Sequence, residues 1–348
     1  MRRVPRGSDR SLPLPHPDPL AMTIRGFTID GFLLALVAVV AFAIILPGPG
    51  ATGGILHMND VATYGVGVIF FLYGLTLAPE KMKAGVKHWR MHLCVQLCTF
   101  VLFPIIVLLL GTPLKGMVPE AVWIGFFYIA ALPSTVSSSV AMTSLAHGNV
   151  PAAIFNATLS SLIGVFATPL LMAWFLATSG LSMPLLPVIG KIVMLVLLPI
   201  IIGQVARHWL AGWATRHNKQ IKLADRAIIL AIVYNSFSDS MVEGVWQGHD
   251  ASLIIEIIVG VIALFFIIYY LMMIPCRLLK FDRADTVACL FCASKKSLAT
   301  GVPLAPIIFG ANPSLGLIIA PLMLYHFCQL VIVSVIANRQ ARLALAEA

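Results

Sequence analysis

Charged residues are scarce in this sequence. Asp, Glu, Lys and Arg together make up 11% of its 348 residues, whereas they make up about 25% of an ordinary soluble domain. Hydrophobic residues make up 59%, and the mean hydropathy is +0.96. A soluble domain of this composition would have too little polar surface to cover its core, so a soluble enzyme, a disordered protein and a small disulfide scaffold are excluded. The apolar runs are long and continuous, which predicts a polytopic α-helical membrane protein rather than a β-barrel.

Cysteines and recognisable catalytic motifs are also few. Almost all of the six cysteines lie in or beside apolar runs, and no two of them pair plausibly across an exposed loop, so we expect no disulfide framework. The sequence contains no HExxH, GxSxG, Walker A or EF-hand pattern. We therefore expect neither a bound metal ion nor a cofactor.

Acidic residues are outnumbered by basic ones. The 14 Asp and Glu residues stand against 23 Lys and Arg residues, which gives a formal net charge of +9. In a soluble protein this excess would indicate a nucleic-acid partner. In a membrane protein, basic residues accumulate in the cytoplasmic loops and determine the topology. We therefore expect that the protein is surrounded by membrane lipid and has no nucleic-acid partner.

Windows of about 20 apolar residues predict ten membrane spans. They cover residues 28–47, 61–79, 92–111, 121–146, 152–177, 186–206, 223–242, 252–275, 284–309 and 314–337. With the N-terminus inside, only Lys115 and Lys191 lie on the outer side, and Lys295 and Lys296 lie within a span. This asymmetry predicts a multi-pass protein of the cytoplasmic (inner) membrane, with residues 207–222, residues 276–283 and both termini in the cytoplasm. Met22 is a second candidate start, which would make residues 1–21 an upstream extension.

The two halves of the chain follow a common plan. Spans 1–5 and 6–10 are each odd in number, so the second half would be inverted in the membrane relative to the first. An interrupted polar span lies near the end of each half. It is followed by GNVP (148–151) in the first half and by GANP (310–313) in the second, and then by a long final helix. Together with the topology, these features indicate the inverted-repeat plan of secondary transporters.

The fourth span carries hydroxyl groups where a lipid-facing helix would be apolar. Pro133 removes a backbone donor and disfavours a continuous helix. Five hydroxyl residues follow within six positions: Ser134, Thr135, Ser137, Ser138 and Ser139. Such hydroxyls can bond back to their own helix and allow close helix packing. Their density after a proline favours an unwound binding segment instead, which Asn156 in span 5 could face.

The ninth span contains two adjacent lysines. Lys295 and Lys296 have about eight apolar or small residues on either side, and a lysine near the bilayer centre costs about 2.5–3.5 kcal/mol on insertion scales. Snorkelling to an interface is the simpler explanation, but the apolar flanks are too long on both sides. Gly301 and Pro303 favour a break in the helix, and a helix amino terminus there would add a positive dipole end. This combination suits an anionic group.

Three strings in the sequence resemble a known family. They are LPSTVSSSVAMTSLAHGNVPAAIFNATLSS (132–161), FFLYGLTLAPEKM (70–82) and SKKSLATGVPLAP (294–306). They resemble the bile acid:sodium symporter superfamily, and more closely its branch around the seventh member of solute carrier family ten and the bacterial YfeH-type proteins. The resemblance covers about residues 22–340. It implies an all-α fold of ten transmembrane helices in two inverted five-helix repeats, with discontinuous spans 4 and 9 that cross near the midplane.

The same resemblance implies two domains with the substrate between them and transport by alternating access. A panel domain would contain spans 1–2 in residues 27–91 and spans 6–7 in residues 178–251. A core domain would contain spans 3–5 in residues 92–177 and spans 8–10 in residues 252–338. Residues 1–26 and 339–348 would be cytoplasmic tails.

The sequence departs from the bile-acid branch at its sodium ligands. That branch holds sodium with hydroxyl and amide groups of spans 4 and 5, and with an acidic residue and an amide of span 9. The matching positions here are Ser139 and Val140, Ala153 and Ala157, and Ser294 and Leu298. A hard cation needs oxygen ligands, and most of them are missing. We therefore expect these sodium sites to be absent, and a lysine ammonium could take the place of the cation.

These features together predict a secondary transporter of a small organic anion, coupled to a proton or to sodium. The expected substrate or ion contacts are Ser134, Thr135, Ser137, Ser138, Ser139, Asn156, Ser294, Lys295, Lys296, Ser297 and Thr300. We expect no enzymatic activity. The main alternative is a transporter-like regulator or scaffold that moves nothing. A third interpretation is an intramembrane hydrolase that uses Ser294 or Ser297 with a lysine base.

Overall fold

The computed structural model describes residues 22–24, 27–29, 31–76, 87–111, 116, 118–179, 185–247 and 250–347. Most of these residues belong to helices. The helices are α1 (Gly31–Ile45), α2 (Met58–Thr76), α3 (Trp89–Leu97), α4 (Phe103–Gly111), α5 (Glu120–Ala131), α6 (Ser137–Leu145), α7 (Val150–Thr178), α8 (Leu185–Ile192), α9 (Leu198–Arg216), α10 (Asn218–Val242), α11 (Ala251–Leu278), α12 (Arg283–Ala293), α13 (Leu298–Phe309) and α14 (Leu315–Glu347). Two π-helical segments, Cys98–Leu102 and Val193–Leu197, join α3 to α4 and α8 to α9.

A short hairpin precedes the first helix. Strand β1 (Met22–Ile24) pairs antiparallel with strand β2 (Phe27–Ile29). The pairing residues are largely β-branched or aromatic, which favours extended backbone. The chain is therefore not helical throughout its described part, and the first apolar helix begins at Gly31 rather than at residue 28.

The chain is a multi-pass membrane protein. Six helices of the described part are long and apolar enough to cross a membrane; they are Met58–Thr76, Trp89–Gly111, Val150–Thr178, Pro187–Arg216, Ser252–Leu278 and Leu315–Ala344. Large apolar side chains such as Ile45 and Leu278, which are 78% and 76% exposed, face outward. A surface of this kind suits lipid and not water.

Each predicted span falls on a helix or a pair of helices, with ends shifted by a few residues. The largest differences are at α9 and α14, which continue to Arg216 and Glu347 because the residues beyond the predicted ends are largely Ala, Leu and Arg, which favour helix. Residues 77–79 of the predicted second span lie outside the described residues, as do Lys115 and the extension at residues 1–21. Interruptions are present in spans 4 and 9, as predicted: α5 and α6 are separate helices, as are α12 and α13. The assignment of the second break to Gly301 and Pro303 is wrong, because both residues lie within α13 and the chain leaves the helix before Leu298.

Glycines allow α2 and α9 to pack with their backbones in contact. A Cβ atom on Gly74 would lie 2.2 Å from the Ile200 carbonyl oxygen, and one on Gly203 would lie 2.2 Å from that of Phe71. Any side chain at either position would force the helices apart, which is why small residues are favoured at such helix crossings. Helix α10 packs against both α1 and α2, so these four helices form one packed group.

The remaining helices surround the two interrupted spans. Helix α5 packs against α14, and α12 packs against α3, α6 and α7. At the start of α12, the Asp285 carboxylate accepts a hydrogen bond of 2.7 Å from the Asn149 amide and lies 3.0 Å from the His88 ring. This polar contact joins the beginnings of α3, α7 and α12 and leaves their apolar lengths to pack around the breaks.

Candidate functional site

The break in span 4 follows from Pro133. Helix α5 ends at Ala131, and Leu132 adopts extended backbone angles, as expected for a residue that precedes a proline. Helix α6 begins only at Ser137. Between the two helices, the Ser134 amide finds an acceptor in the Ser160 hydroxyl at 2.9 Å instead of a helix carbonyl. The break is thus stabilised by a side chain of span 5.

The break in span 9 covers residues 294–297. Helix α12 ends at Ala293, and α13 begins at Leu298 with Ser297 as its N-cap. The Ser297 hydroxyl accepts a hydrogen bond of 3.2 Å from the Thr300 amide and donates one of 3.1 Å to the Thr300 hydroxyl. Ser297 therefore caps the amino terminus of α13 together with Thr300, which is the usual role of a serine at the N-cap position.

The two breaks lie against each other. The Ser297 amide donates to the Pro133 carbonyl at 2.9 Å, and the Ser134 hydroxyl donates to the Cys292 carbonyl at 2.6 Å. The Ser139 hydroxyl donates to the Phe291 carbonyl at 3.3 Å. Backbone groups freed by one break are thus satisfied by the other, so the polar backbone stays out of lipid.

The predicted hydroxyl residues of span 4 are only partly brought together. Thr135 lies at the centre of a small network, with its hydroxyl 2.8 Å from that of Ser139 and accepting a hydrogen bond of 2.9 Å from that of Ser138. Ser137 is exposed and lies apart from this network. The structure therefore places Ser134, Thr135, Ser138 and Ser139 around the two contacting breaks and leaves Ser137 outside them.

Lys296 is held by the protein itself. Its side chain is fully buried, and its Nζ atom donates hydrogen bonds of 2.8 Å to the carbonyl oxygens of Thr99, Ala130 and Leu132. The Phe103 ring centroid lies 4.0 Å from the same atom, which is close enough for a cation–π interaction. All three donors of this ammonium are satisfied without a bound ligand.

Lys295 lies in a different environment. Its side chain is also fully buried, but its Nζ atom has no hydrogen-bond partner within the described residues. The Cys292 thiol on α12 and the His326 ring on α14 are titratable groups in its neighbourhood. The Cys292 thiol in turn lies 3.7 Å from the Ala153 carbonyl of α7. This contact joins span 9 to span 5 three residues before Lys295.

Asn156 is the second buried side chain near this contact that lacks partners. It follows Ala153 by three positions on α7, so both residues lie on one face of the helix. The Asn156 side chain is fully buried, and neither its Oδ1 nor its Nδ2 atom is hydrogen-bonded in the part of the chain that is described. A buried amide without partners is rare, and this one leaves both donor and acceptor capacity for a small molecule.

The hydroxyl of Ser294 is directed into its own helix. It donates to the Leu290 carbonyl at 2.7 Å, while the Ser294 carbonyl accepts a hydrogen bond of 2.7 Å from the Tyr325 hydroxyl. The lysine hydrogen bonds found among the described residues go to carbonyl oxygens and not to Ser294 or Ser297. The pairing of a nucleophile with a base that a serine–lysine hydrolase needs is therefore not formed.

Sequence reasoning missed Gln329, which clamps the backbone of Lys296. Its Oε1 atom accepts from the Lys296 amide at 2.8 Å, and its Nε2 atom donates to the Lys296 carbonyl at 2.9 Å. Gln329 is fully buried in α14. The available signal was a glutamine in the middle of the apolar tenth span, which is costly unless it is paired.

Most of the chain is similar to a transporter family and to several of its members. The model of the SBF-like CPA transporter family matches residues 30–342. The chain belongs to this family. It is 41% identical to "Uncharacterized protein PA2026" of Pseudomonas aeruginosa, over 92% of this chain and 98% of that protein. It is 37% identical to "Putative symporter YfeH" of Escherichia coli, over 90% and 93%. It is 35% identical to "Sodium/bile acid cotransporter 7" of Danio rerio, over 88% and 92%.

Membership confirms the resemblance drawn from the three sequence strings. It also assigns the chain to a family of transporters and not of enzymes. The interpretation as an intramembrane hydrolase is therefore wrong, in agreement with the hydrogen bonding of Ser294.

Proposed function

We propose that this protein is a secondary active transporter that carries a small organic anion across the cytoplasmic membrane by alternating access. The observation that carries the proposal is the fully buried Lys295 ammonium, which has no hydrogen-bond partner in the described part of the chain. An uncompensated buried charge costs several kcal/mol. The buried polar side chains found among the described residues include no Asp or Glu. A bound anion would supply the missing negative charge, and the Asn156 amide would add polar contacts.

The same lysine favours a proton over sodium as the coupling ion. When the anion leaves, the ammonium would lose its compensation and could release a proton, so anion and proton would cross together. Support comes from the positions that match sodium ligands in the bile-acid branch. The hydroxyls of Ser139 and Ser294 donate to helix carbonyls, and Ala153 and Leu298 offer no side-chain oxygen. The proposed transporter therefore lacks sodium sites of that kind.

The proposed architecture has ten spans in two inverted five-helix repeats. It is supported by a pattern that occurs twice along the chain. Helices α5 and α6 flank a break and are followed by GNVP and the long α7. Helices α12 and α13 flank a break and are followed by GANP and the long α14. An odd number of spans between the two patterns would place them in opposite orientations.

The proposed panel and core domains agree with the helix packing. Helices α1, α2, α9 and α10 pack together, as a panel of spans 1, 2, 6 and 7 requires. The paired breaks lie within the other helices, which would form the core. With both termini in the cytoplasm, the basic residues of α9 and α10 near residue 217 would also face the cytoplasm. The substrate would bind where the core presents Lys295.

The test uses the purified protein and a defined panel of monocarboxylates, dicarboxylates, sulfonates and bile acids. A thermal-shift screen identifies the anions that stabilise the protein, and uptake of those anions is measured in liposomes under a proton gradient and under a sodium gradient. Lys295→Met keeps the apolar stem and removes the charge. We expect it to weaken anion binding by about 10- to 150-fold, which corresponds to the loss of a charge-assisted contact of about 1.5–3 kcal/mol.

The matched control is Lys191→Met, because Lys191 is an exposed lysine in the last turn of α8. It should bind and transport as the parent does. Equal anion binding by Lys295→Met and the parent would overturn the assignment of the site. A protein that binds an anion through Lys295 but shows no uptake under either gradient would favour the transporter-like regulator.

A further inference from the structure

Three backbone carbonyls of spans 3 and 4 converge on one point. The oxygens of Thr99, Ala130 and Leu132 each lie 2.8 Å from the Lys296 Nζ atom. Within the described residues no salt bridge reaches this lysine. The ammonium is thus bound by neutral oxygens alone, as a free monovalent cation would be.

The Thr99 carbonyl is available because of a local irregularity in span 3. In the π-helical segment, the Phe103 amide donates to the Cys98 carbonyl instead of to that of Thr99. The next residue is Pro104, which has no N–H group. The Thr99 carbonyl therefore receives no hydrogen bond from the following turn. Pro104 and the shift in hydrogen-bond register together create a free acceptor in the middle of an apolar span.

The other two carbonyls are available because α5 ends. The last carbonyls of any helix lack partners within it. The amide that would pair with Ala130 in a continuous helix belongs to Ser134, and it donates to the Ser160 hydroxyl instead. The carbonyl of Leu132 lies in the extended break itself. All three acceptors would be unsatisfied in the membrane interior if nothing occupied the point where they meet.

We propose that these three carbonyls form a monovalent-cation site, which we call the carbonyl cage, and that the chain fills it permanently with its own Lys296 ammonium. The cage is completed by the Phe103 ring, which covers the cation. The distances of 2.8 Å suit three charge-assisted N–H···O hydrogen bonds. The tethered cation holds spans 3, 4 and 9 together without an ion from solution. Lys296 is therefore a positioning residue and not the anion-binding lysine.

The cage defines which free ligand would replace the side chain. Lys296→Ala removes three carbon atoms and the ammonium, and these are the atoms of n-propylammonium. The cage of this variant should therefore bind n-propylammonium. 1-Propanol should not bind there in its place, because its hydroxyl is uncharged and has only one proton to donate to three carbonyl oxygens. This inference does not depend on transport, since it concerns the stability of the crossing.

The experiment measures thermal stability by fluorescence-detected gel filtration of detergent extracts, so that unstable variants need not be purified. Lys296→Met fills the stem but leaves three buried acceptors unpaired. We expect it to lower the unfolding midpoint by about 4–13 °C, from the usual cost of unpaired buried groups and the usual unfolding entropy per residue. Lys296→Ala should unfold at a still lower temperature, and added n-propylammonium should restore most of the decrease in its unfolding midpoint. It should gain nothing in 1-propanol.

Lys295→Ala is the matched control, because it removes the same atoms at the neighbouring residue, whose Nζ atom contacts no carbonyl oxygen among the described residues. n-Propylammonium should not stabilise it or the parent. A Lys296→Met protein as stable as the parent would overturn the proposal. So would equal stabilisation of both alanine variants, or a Lys296→Ala protein that n-propylammonium leaves unchanged. Because the anion proposal is tested at Lys295, either proposal can fail while the other stands.

Discussion

The clamp that Gln329 places on Lys296 offers a direct test of how the break in span 9 is stabilised. Gln329→Leu keeps a similar volume but removes the acceptor for the Lys296 amide at 2.8 Å and the donor to its carbonyl at 2.9 Å. Because the site is fully buried, water cannot readily replace either partner. Each unpaired buried group costs about 1–3 kcal/mol, so the variant should lose about 2–6 kcal/mol of stability.

This loss corresponds to a measurable change in the unfolding midpoint. An unfolding entropy of about 2.1 cal/mol/K per residue gives about 1.4 °C per kcal/mol for a chain of this length. The midpoint should therefore fall by about 3–8 °C when it is followed by gel filtration of heated detergent extracts. Phe327→Leu, at a residue of the same helix that is 42% exposed, is the control, and a Gln329→Leu midpoint equal to that of the control would refute the reasoning.

Three further predictions test other parts of the structure. In a Cys-depleted background, single cysteines placed in residues 276–283 should react with impermeant reagents only after the cells are opened, since their basic residues favour the cytoplasm; labelling of intact cells would contradict the ten-span topology. Asp239→Ala should lower stability by about 1–3 kcal/mol, because its carboxylate accepts two hydrogen bonds, of 2.6 and 2.8 Å, from the loop after α1; an unchanged unfolding midpoint would show that these bonds contribute little. Gly164→Val should lower the free energy of unfolding by about 1–3 kcal/mol through overpacking, because a Cβ atom there would lie 2.7 Å from Pro133. The control Gly190→Ala should leave the unfolding midpoint unchanged, because a Cβ atom at that residue meets nothing within 4 Å.

The helical membrane class and the positions of the spans could be predicted from the sequence because both depend on local properties. A long apolar run forms a helix in lipid, since no other local structure satisfies its backbone there. The break after Pro133 was equally local, because a proline disturbs the helix that contains it. The break of span 9 was predicted at Gly301 and Pro303, but it lies at residues 294–297 and both residues belong to α13. The family could be recognised from the same short strings.

What each polar residue does at the two contacting breaks was decided only by the tertiary structure. Lys295 and Lys296 are identical neighbours in the sequence, yet only Lys296 reaches three free carbonyls. Those carbonyls are free to accept hydrogen bonds because span 3 contains a π-helical segment before Pro104 and because α5 ends at Ala131. They meet at one point only after segments nearly 200 residues apart have packed together. The pattern of residues along one span could not show which lysine is satisfied, because its partners belong to other spans.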